Sequence, residues 1–306
     1  MTTKTLAQQT NEILTARMSA NKKRDALVKL GVTPYEAMIL ARASMPAPTP
    51  RVPRTIFTYT FGVEIECIGC RFDEFMAAAR RNGLSVYDQF YYNHTDMNMF
   101  KLTTDSSISG TNPAECVTPP LRSNGGFESL KACCRSLSEI GARVNQSCGL
   151  HVHIGAADLT DSEYCNVFVN YMYLEKAIES FLAPSRRGRH SRWCKSLLLH
   201  RTALLEATTK GEVRYALDYD RYHRVNAESY LRHKTIEFRQ HQGSANFTKI
   251  RHWVEFLGKL VEFSKTNRLE SEINRIEDIP FLTQTEKNYF CARRAAFDGH
   301  SEEIAA

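Results

Sequence analysis

Three short stretches, Phe61-Gly-Val-Glu-Ile-Glu66, Gly149-Leu-His-Val-His-Ile154 and Thr235-Ile-Glu-Phe-Arg-Gln-His241, decide how this chain folds. Side chains on a strand alternate faces with period two. Glu64 and Glu66 therefore share a face, as do His151 and His153, and the alternation puts Glu237, Arg239 and His241 together. Val63, Ile65, Leu150, Val152, Ile154, Ile236 and Phe238 fall on the opposite face. A half-buried antiparallel sheet normally shows water a neutral polar face. Here that face carries three carboxylates, three imidazoles and an arginine, drawn from distant parts of the chain. Hard divalent cations take such carboxylates as ligands, and histidine can join them. The pattern predicts a metal-lined sheet rather than a solvated surface.

Working outward, 55–68, 100–105, 114–118, 143–154 and 230–240 read as strands, and 73–82, 126–141, 162–182 and 248–263 as helices. The interleaving predicts an α+β fold: a twisted antiparallel sheet with an acid- and His-lined concave face and helices on its back. Residues 1–53 stand apart. They carry helical periodicity, then Gly31 as a stop, Thr33 as an N-cap and Pro34 at the first helical position. The Pro-rich stretch 45–53 reads as a stiff linker, leaving 54–306 as the catalytic domain. After Ser264 the chain is polar and helical in pattern.

The bulk numbers bound the class. The 306 residues are 42% hydrophobic and 24% charged, with a formal net charge of +6, enough for a large core and suited to an anionic ligand without calling for nucleic acid. Nine irregularly spaced cysteines form no disulfide framework, and Cys67-x-x-Cys70 reads as buried free thiols rather than half a zinc site. No signal peptide opens the chain and no apolar run is long enough to span a bilayer, so the expected compartment is the cytoplasm and no membrane partner is expected.

Within this frame several groups carry chemistry. Glu64 and Glu66 sit roughly 7 Å apart at about 3.3 Å of rise per residue, a spacing suited to two neighbouring cations, though equally to a charged outer strand face. Asp105 and Glu115 are acids at strand ends. His151 and His153 could serve as ligands, nucleotide contacts or a proton shuttle. A basic group runs from Arg186, Arg187, Arg189 and Arg192 to Arg214, Arg221, Arg224 and Arg239, with Trp193 and Tyr222 among it. Such a run is usually a solvated face. Arg239, two residues from Glu237, is different: an arginine beside a metal carboxylate suits a phosphate in transfer.

At these residues the chain resembles the amidoligase family, carboxylate–amine ligases that share the fold of glutamine synthetase and glutamate–cysteine ligase. The resemblance is carried by Gly62-Val-Glu-Ile-Glu66, Asp105-x-Ser107, Glu115-x-x-Thr118-Pro119, Cys148-Gly-Leu-His-Val-His-Ile154, Pro184-Ser-Arg-Arg187, Arg221-Tyr-x-x-Val-Asn226 and Thr235-Ile-Glu-Phe-Arg-x-His241-x-Gly243. It covers residues 55–265, with Thr118 standing where many relatives have serine. It implies ATP-dependent amide or isopeptide formation: a carboxylate is phosphorylated, and an amine attacks the acyl phosphate. It further implies that Glu66 and Glu115 hold one magnesium ion, and Glu64, His151 and Glu237 the other, with Mn2+ able to substitute. Arg239 would contact the transferred phosphate, with Asp105, Glu115 and Arg221 in the catalytic set. His153, Arg186, Arg187, Arg224 and Asn226 would surround the nucleotide. The implied partners are ATP, a carboxylate and an amine (amino acid, polyamine or peptide), with a second subunit or a protein partner at the N-terminal helices. The competing readings are a metal-dependent hydrolase on the same sheet and a non-catalytic binding protein on a decayed ligase fold. No Walker, Rossmann or nucleophile-elbow motif competes for the nucleotide.

Overall fold

The computed structural model describes residues 4–16, 18, 20–43, 58–87, 98–188 and 191–298. The chain divides into two compact units, Met1–Thr55 and Ile56–Ala306. The first holds helices α1 (Leu6–Thr15), α2 (Ala20–Lys29) and α3 (Pro34–Ala43). Thr5 and Gln8 form a capping box on α1, and the Thr33 hydroxyl accepts the Glu36 amide as the chain enters α3 at Pro34. Leu27, Ala37 and Ala41 are buried there. The Pro-rich stretch 45–53 lies outside the described residues.

The second unit is built on seven strands: β1 (Thr60–Cys67), β2 (Lys101–Thr103), β3 (Ala114–Val117), β4 (Leu121–Arg122), β5 (Gly149–Gly155), β6 (Val225–Asn226) and β7 (Thr235–Gln242). They form one open sheet in the order β2-β3-β1-β5-β7-β6, with β4 also on β1, and every pairing between them is antiparallel. The helices are α4 (Phe72–Arg81), α5 (Ser123–Glu139), α6 (Asp161–Ser180), α7 (Arg201–Glu206), α8 (Lys210–Ala216), α9 (Ser229–His233), α10 (Phe247–Thr266) and α11 (Gln284–Asp298). Thr160 and Glu163 cap α6 reciprocally, and Asn246 caps α10 through the Lys249 amide.

One sheet face is sealed, because the apolar alternation of β1, β5 and β7 meets helices. Val63, Ile65, Leu150, Val152, Ile154, Ile236 and Phe238 are all buried. Phe61 stacks on Phe127 of α5 at 4.8 Å, and Phe238 meets Tyr171 of α6 at 5.6 Å. Fully burying one such ring is worth about 1.5–3 kcal/mol. α6 is buried nearly all round, not along one stripe, because α7, α8 and α10 cover the sides that the sheet does not. Among the described residues no helix is long and apolar enough to cross a membrane. All nine cysteines are free, eight of them buried.

Two boundaries differ from the sequence expectation. Residues 143–148 are not strand: Asn145 accepts from the Ser147 amide at 2.9 Å and turns the chain before β5. Residues 229–233 are the short helix α9, closed by Lys234 in the left-handed region at φ 54°, and β7 begins only at Thr235. The described residues of the basic stretch 186–201 are mostly irregular, with 3-10 turns at Pro184–Arg186 and Leu197–His200.

Candidate active site

The ladder registers assemble the site. Glu66 faces Glu115 across β1 and β3, Glu64 faces His151 across β1 and β5, and His153 faces Glu237 across β5 and β7. Directly opposed residues share a face, so one surface collects side chains that lie up to 173 positions apart. Position 118 helps to hold β1 there. Its hydroxyl accepts the Val63 amide at 2.9 Å, a bond that serine could equally make.

His151 sits among the acids: its Nδ1 is 3.1 Å from Glu64 and 3.7 Å from Glu237, and its Nε2 is 3.5 Å from Glu66. His153 Nε2 lies 3.3 Å from Glu64, and its Nδ1 lies 2.9 Å from the Thr235 hydroxyl. Glu66 also accepts the Gly149 amide at 2.5 Å. A Cβ at position 149 would stand 3.0 Å from His151 Nε2 and 3.4 Å from both Arg186 and Glu66, so a larger residue would push these side chains outward by a few tenths of an ångström. Glu237 is bonded by Arg239 and, at 2.6 Å, by Asn226. Among the described residues three overlapping sets of ligand atoms, each within 4.8 Å, could hold a cation: Glu64/His153/Glu237, Glu64/Glu115/His151 and Glu66/Asp105/Glu115. Relative to the expected ligand sets, Asp105 joins Glu66 and Glu115, and both histidines take part.

The electrostatics match the crowding. Burial pushes the Glu115 carboxyl well above the carboxylate range, and the negative charges of Glu64, Glu66 and Asp105 add to that push. Burial also opposes ionisation of Glu64, but bonds from His151 and His153 outweigh it and hold the group well below the usual range. At Glu237 burial is again the largest influence; the Arg239 guanidinium and the two imidazoles overcome it and bring the carboxyl down to about 2. His153 is raised: burial opposes its charge, and the carboxylates of Glu64 and Glu237 prevail. Five carboxyl groups thus gather with the Arg239 guanidinium and two imidazoles in an oxygen-rich set. It fits a hard divalent cation.

A cavity of about 420 Å³ opens beside the cluster. Glu64, Glu115 and His153 line it on one side, and Lys101, Arg232 and Lys234 bring cations to it. Lys101 is buried, and the sequence reading passed over it. A signal was present: Lys101, Thr103 and Asp105 share one parity on β2 and its extension, and Thr103 pairs with Glu115. A second cavity, about 560 Å³, meets the cluster at Asp105 and is walled by Arg71, Phe72 and Asp73.

Not every expected residue joins the cluster. His241 is turned away. The register of β5 and β7 slips between Leu150 and Val152, where Arg239 and Gln240 oppose His151 alone, and this bulge pairs His241 with Leu150 on the sealed face. There it packs on Trp253 of α10 at 5.5 Å, and burial drives its pKa down to about 3. Arg224 is also committed elsewhere. It is fully buried, bonded at 2.8 Å to Glu175, 2.5 Å to Glu179 and 2.6 Å to the Gly188 carbonyl, so the expected nucleotide contact gives way to an ion pair that pins α6 to the β6 edge. Arg187 bonds the Leu182 carbonyl and lies over Phe297. Arg186 stays at the rim, donating to the Cys148 carbonyl next to Gly149. Arg221 is exposed and lies over Tyr222.

A family model described as "putative amidoligase enzyme" matches residues 58–261, which spans every one of these groups. No curated protein matches the chain.

Proposed function

Since the chain belongs to the putative amidoligase enzyme family, we propose that it joins a carboxylate to an amine at the expense of ATP, with magnesium, on a sheet of the glutamine synthetase type. The observation that carries this reading is the convergence of Glu64, Glu66, Asp105, Glu115 and Glu237 on one sheet face with Arg239 bonded into the same cluster. A carboxylate is a poor electrophile because its leaving group would be oxide. In the first step the acceptor carboxylate oxygen attacks the γ-phosphorus of ATP and ADP leaves. In the second the amine nitrogen attacks the acyl carbon, the C–O bond to phosphate breaks, and the leaving phosphate carries off the proton that the amine loses. Such a transfer needs positioning and charge neutralisation rather than covalent help from the protein.

The residues suit those tasks. Magnesium, when bound, neutralises phosphate charge, and Glu66, Glu115 and Asp105 together with Glu64, Glu237, His151 and His153 would hold it. Arg239, kept in place by Glu237 and, through it, by Asn226, presents a planar fork to phosphoryl oxygens. The 420 Å³ cavity with Lys101, Arg232 and Lys234 suits the nucleotide's phosphates.

The test is ADP formation from ATP and Mg2+ across a panel of amino acids, polyamines and acidic peptides, alongside thermal melting with nucleotide. A ligand that binds only the native state raises the melting temperature. ATP with Mg2+ is expected to do so, and Glu237→Ala to abolish the rise while the protein stays folded. An equal rise in the variant, or none in the native chain at millimolar nucleotide, rules the reading out.

A further inference from the structure

A row of stacked rings and guanidiniums leads away from Arg239. Its guanidinium carbon lies 5.8 Å from the ring centre of Tyr222, and Trp193 meets that ring edge-on at 5.2 Å. Arg221 lies over Tyr222 at 5.7 Å, and Arg192 over Trp193 at 4.5 Å. The backbone fixes the row to the sheet: the Lys195 amide donates to Tyr222, that of Arg224 to Lys195, and that of Arg239 to Arg224, all at 2.8–2.9 Å.

The two outer arginines differ from their neighbours. Arg214 is held by Glu228, Arg224 by Glu175 and Glu179, and Lys195 by Asp220 at 2.7 Å, which also occupies that acid. Arg192 and Arg221 are exposed and have no acidic partner among the described residues. A guanidinium lying on an aromatic face keeps its N–H fork free in its own plane, oriented for bidentate capture of a carboxylate.

We propose that this row is the track for the acceptor substrate, an acidic peptide segment whose reacting carboxylate lies at Arg239 while neighbouring carboxylates are held by Arg221 and Arg192. The proposal rests on the ligase reading, which brings the reacting carboxylate up to the phosphoryl group that Arg239 holds. A small monocarboxylate would leave Arg192 unused. A nucleic acid would draw on the same charges and rings but has no carboxylate to deliver to the acid cluster.

Trp193 provides the readout, since Trp253, the other tryptophan, is buried. Acetyl-triglutamate, acetyl-triglutamine and a hexathymidylate are titrated against the full chain by tryptophan fluorescence, with magnesium present. Triglutamate is expected to bind at least about tenfold more tightly than triglutamine, and Arg192→Gln to weaken it about tenfold, the worth of one charge-assisted hydrogen bond. Equal binding of triglutamine, an unchanged affinity in Arg192→Gln, or displacement of triglutamate by an equal concentration of hexathymidylate overturns the proposal. ATP-dependent melting in the same samples separates the two ideas. Nucleotide binding without peptide binding removes the track alone. Peptide binding without nucleotide binding leaves the acidic-peptide site standing and removes the ligase reading.

Discussion

Glu115 shows most directly what the site asks of its surroundings. Burial and three neighbouring carboxylates hold its proton on well above the usual range, so in a chelator its negative charge is a liability to the fold. Glu115→Gln removes that charge. We expect the variant to melt no lower than the native chain in chelator at pH 8, and to lose most of the stabilisation that millimolar Mg2+ gives the native chain, both by calorimetry. Arg239 answers a different question. Arg239→Lys keeps the charge and loses the fork, and is expected to lower kcat by about 10²-fold or more while nucleotide affinity changes far less, read from steady-state kinetics and equilibrium titration. Near-normal turnover would mean that Arg239 serves only its ion pair with Glu237. These residues could be read from the chain because period-two alternation needs nothing but the strand. Arg224 could not: whether a basic side chain meets a ligand or a buried pair of glutamates depends on α6, about 50 residues upstream, arriving beside it.

Among the elements, β7 departs furthest from what alternation predicts. Its bulge leaves Glu237 and Arg239 with the acids and sends His241 to Trp253. A bulge has no reliable mark in the residues that form it, so the face of His241 could not be read in advance. The placement has a measurable signature. The unfolded chain takes up a proton on this histidine near pH 6.5, whereas the folded chain resists until about pH 3. Stability from this group is therefore complete above pH 6.5 and is lost as pH falls toward 3. His241→Gln should start out less stable, since it loses packing and the 2.7 Å bond to the Gln242 carbonyl. Between pH 6.5 and 4.5, however, it should lose on the order of 2 kcal/mol less than the native chain in urea unfolding. Parallel pH profiles would place His241 in contact with solvent. The boundaries of β5 and β7 slipped for a related reason: an Asn turn at 145 and the left-handed Lys234 stop the strands, and apolar patterning is blind to both.

The two units invite a separate test. Among the described residues, the first unit holds three ten-residue helices with few buried side chains, and no residue proposed for the chemistry lies within 1–55. Helices this short need packing from elsewhere. Deleting residues 1–55 is expected to leave ATP turnover and the melting of 56–306 intact, and to lower the number of chains per particle derived from light scattering. Lost turnover at an unchanged number of chains would make the N-terminal unit part of the active enzyme.

The bulge at Arg239 and Gln240 also sets what the loss of one residue from β7 would cost. Most single substitutions in β7 alter one contact. Removing Gln240 would restore plain alternation from Glu237 onward and bring the residue after Arg239 into line with Leu150. His241 would stay opposite Leu150 and Gly243 would keep its bond to Cys148, but the bonds that Gln240 makes to Tyr171 and the Arg186 carbonyl would vanish. The extra residue thus serves the seam behind the sheet rather than the ladder: it ties β7 to Tyr171 of α6 and to the loop at Arg186 while the strands on either side keep their pairing.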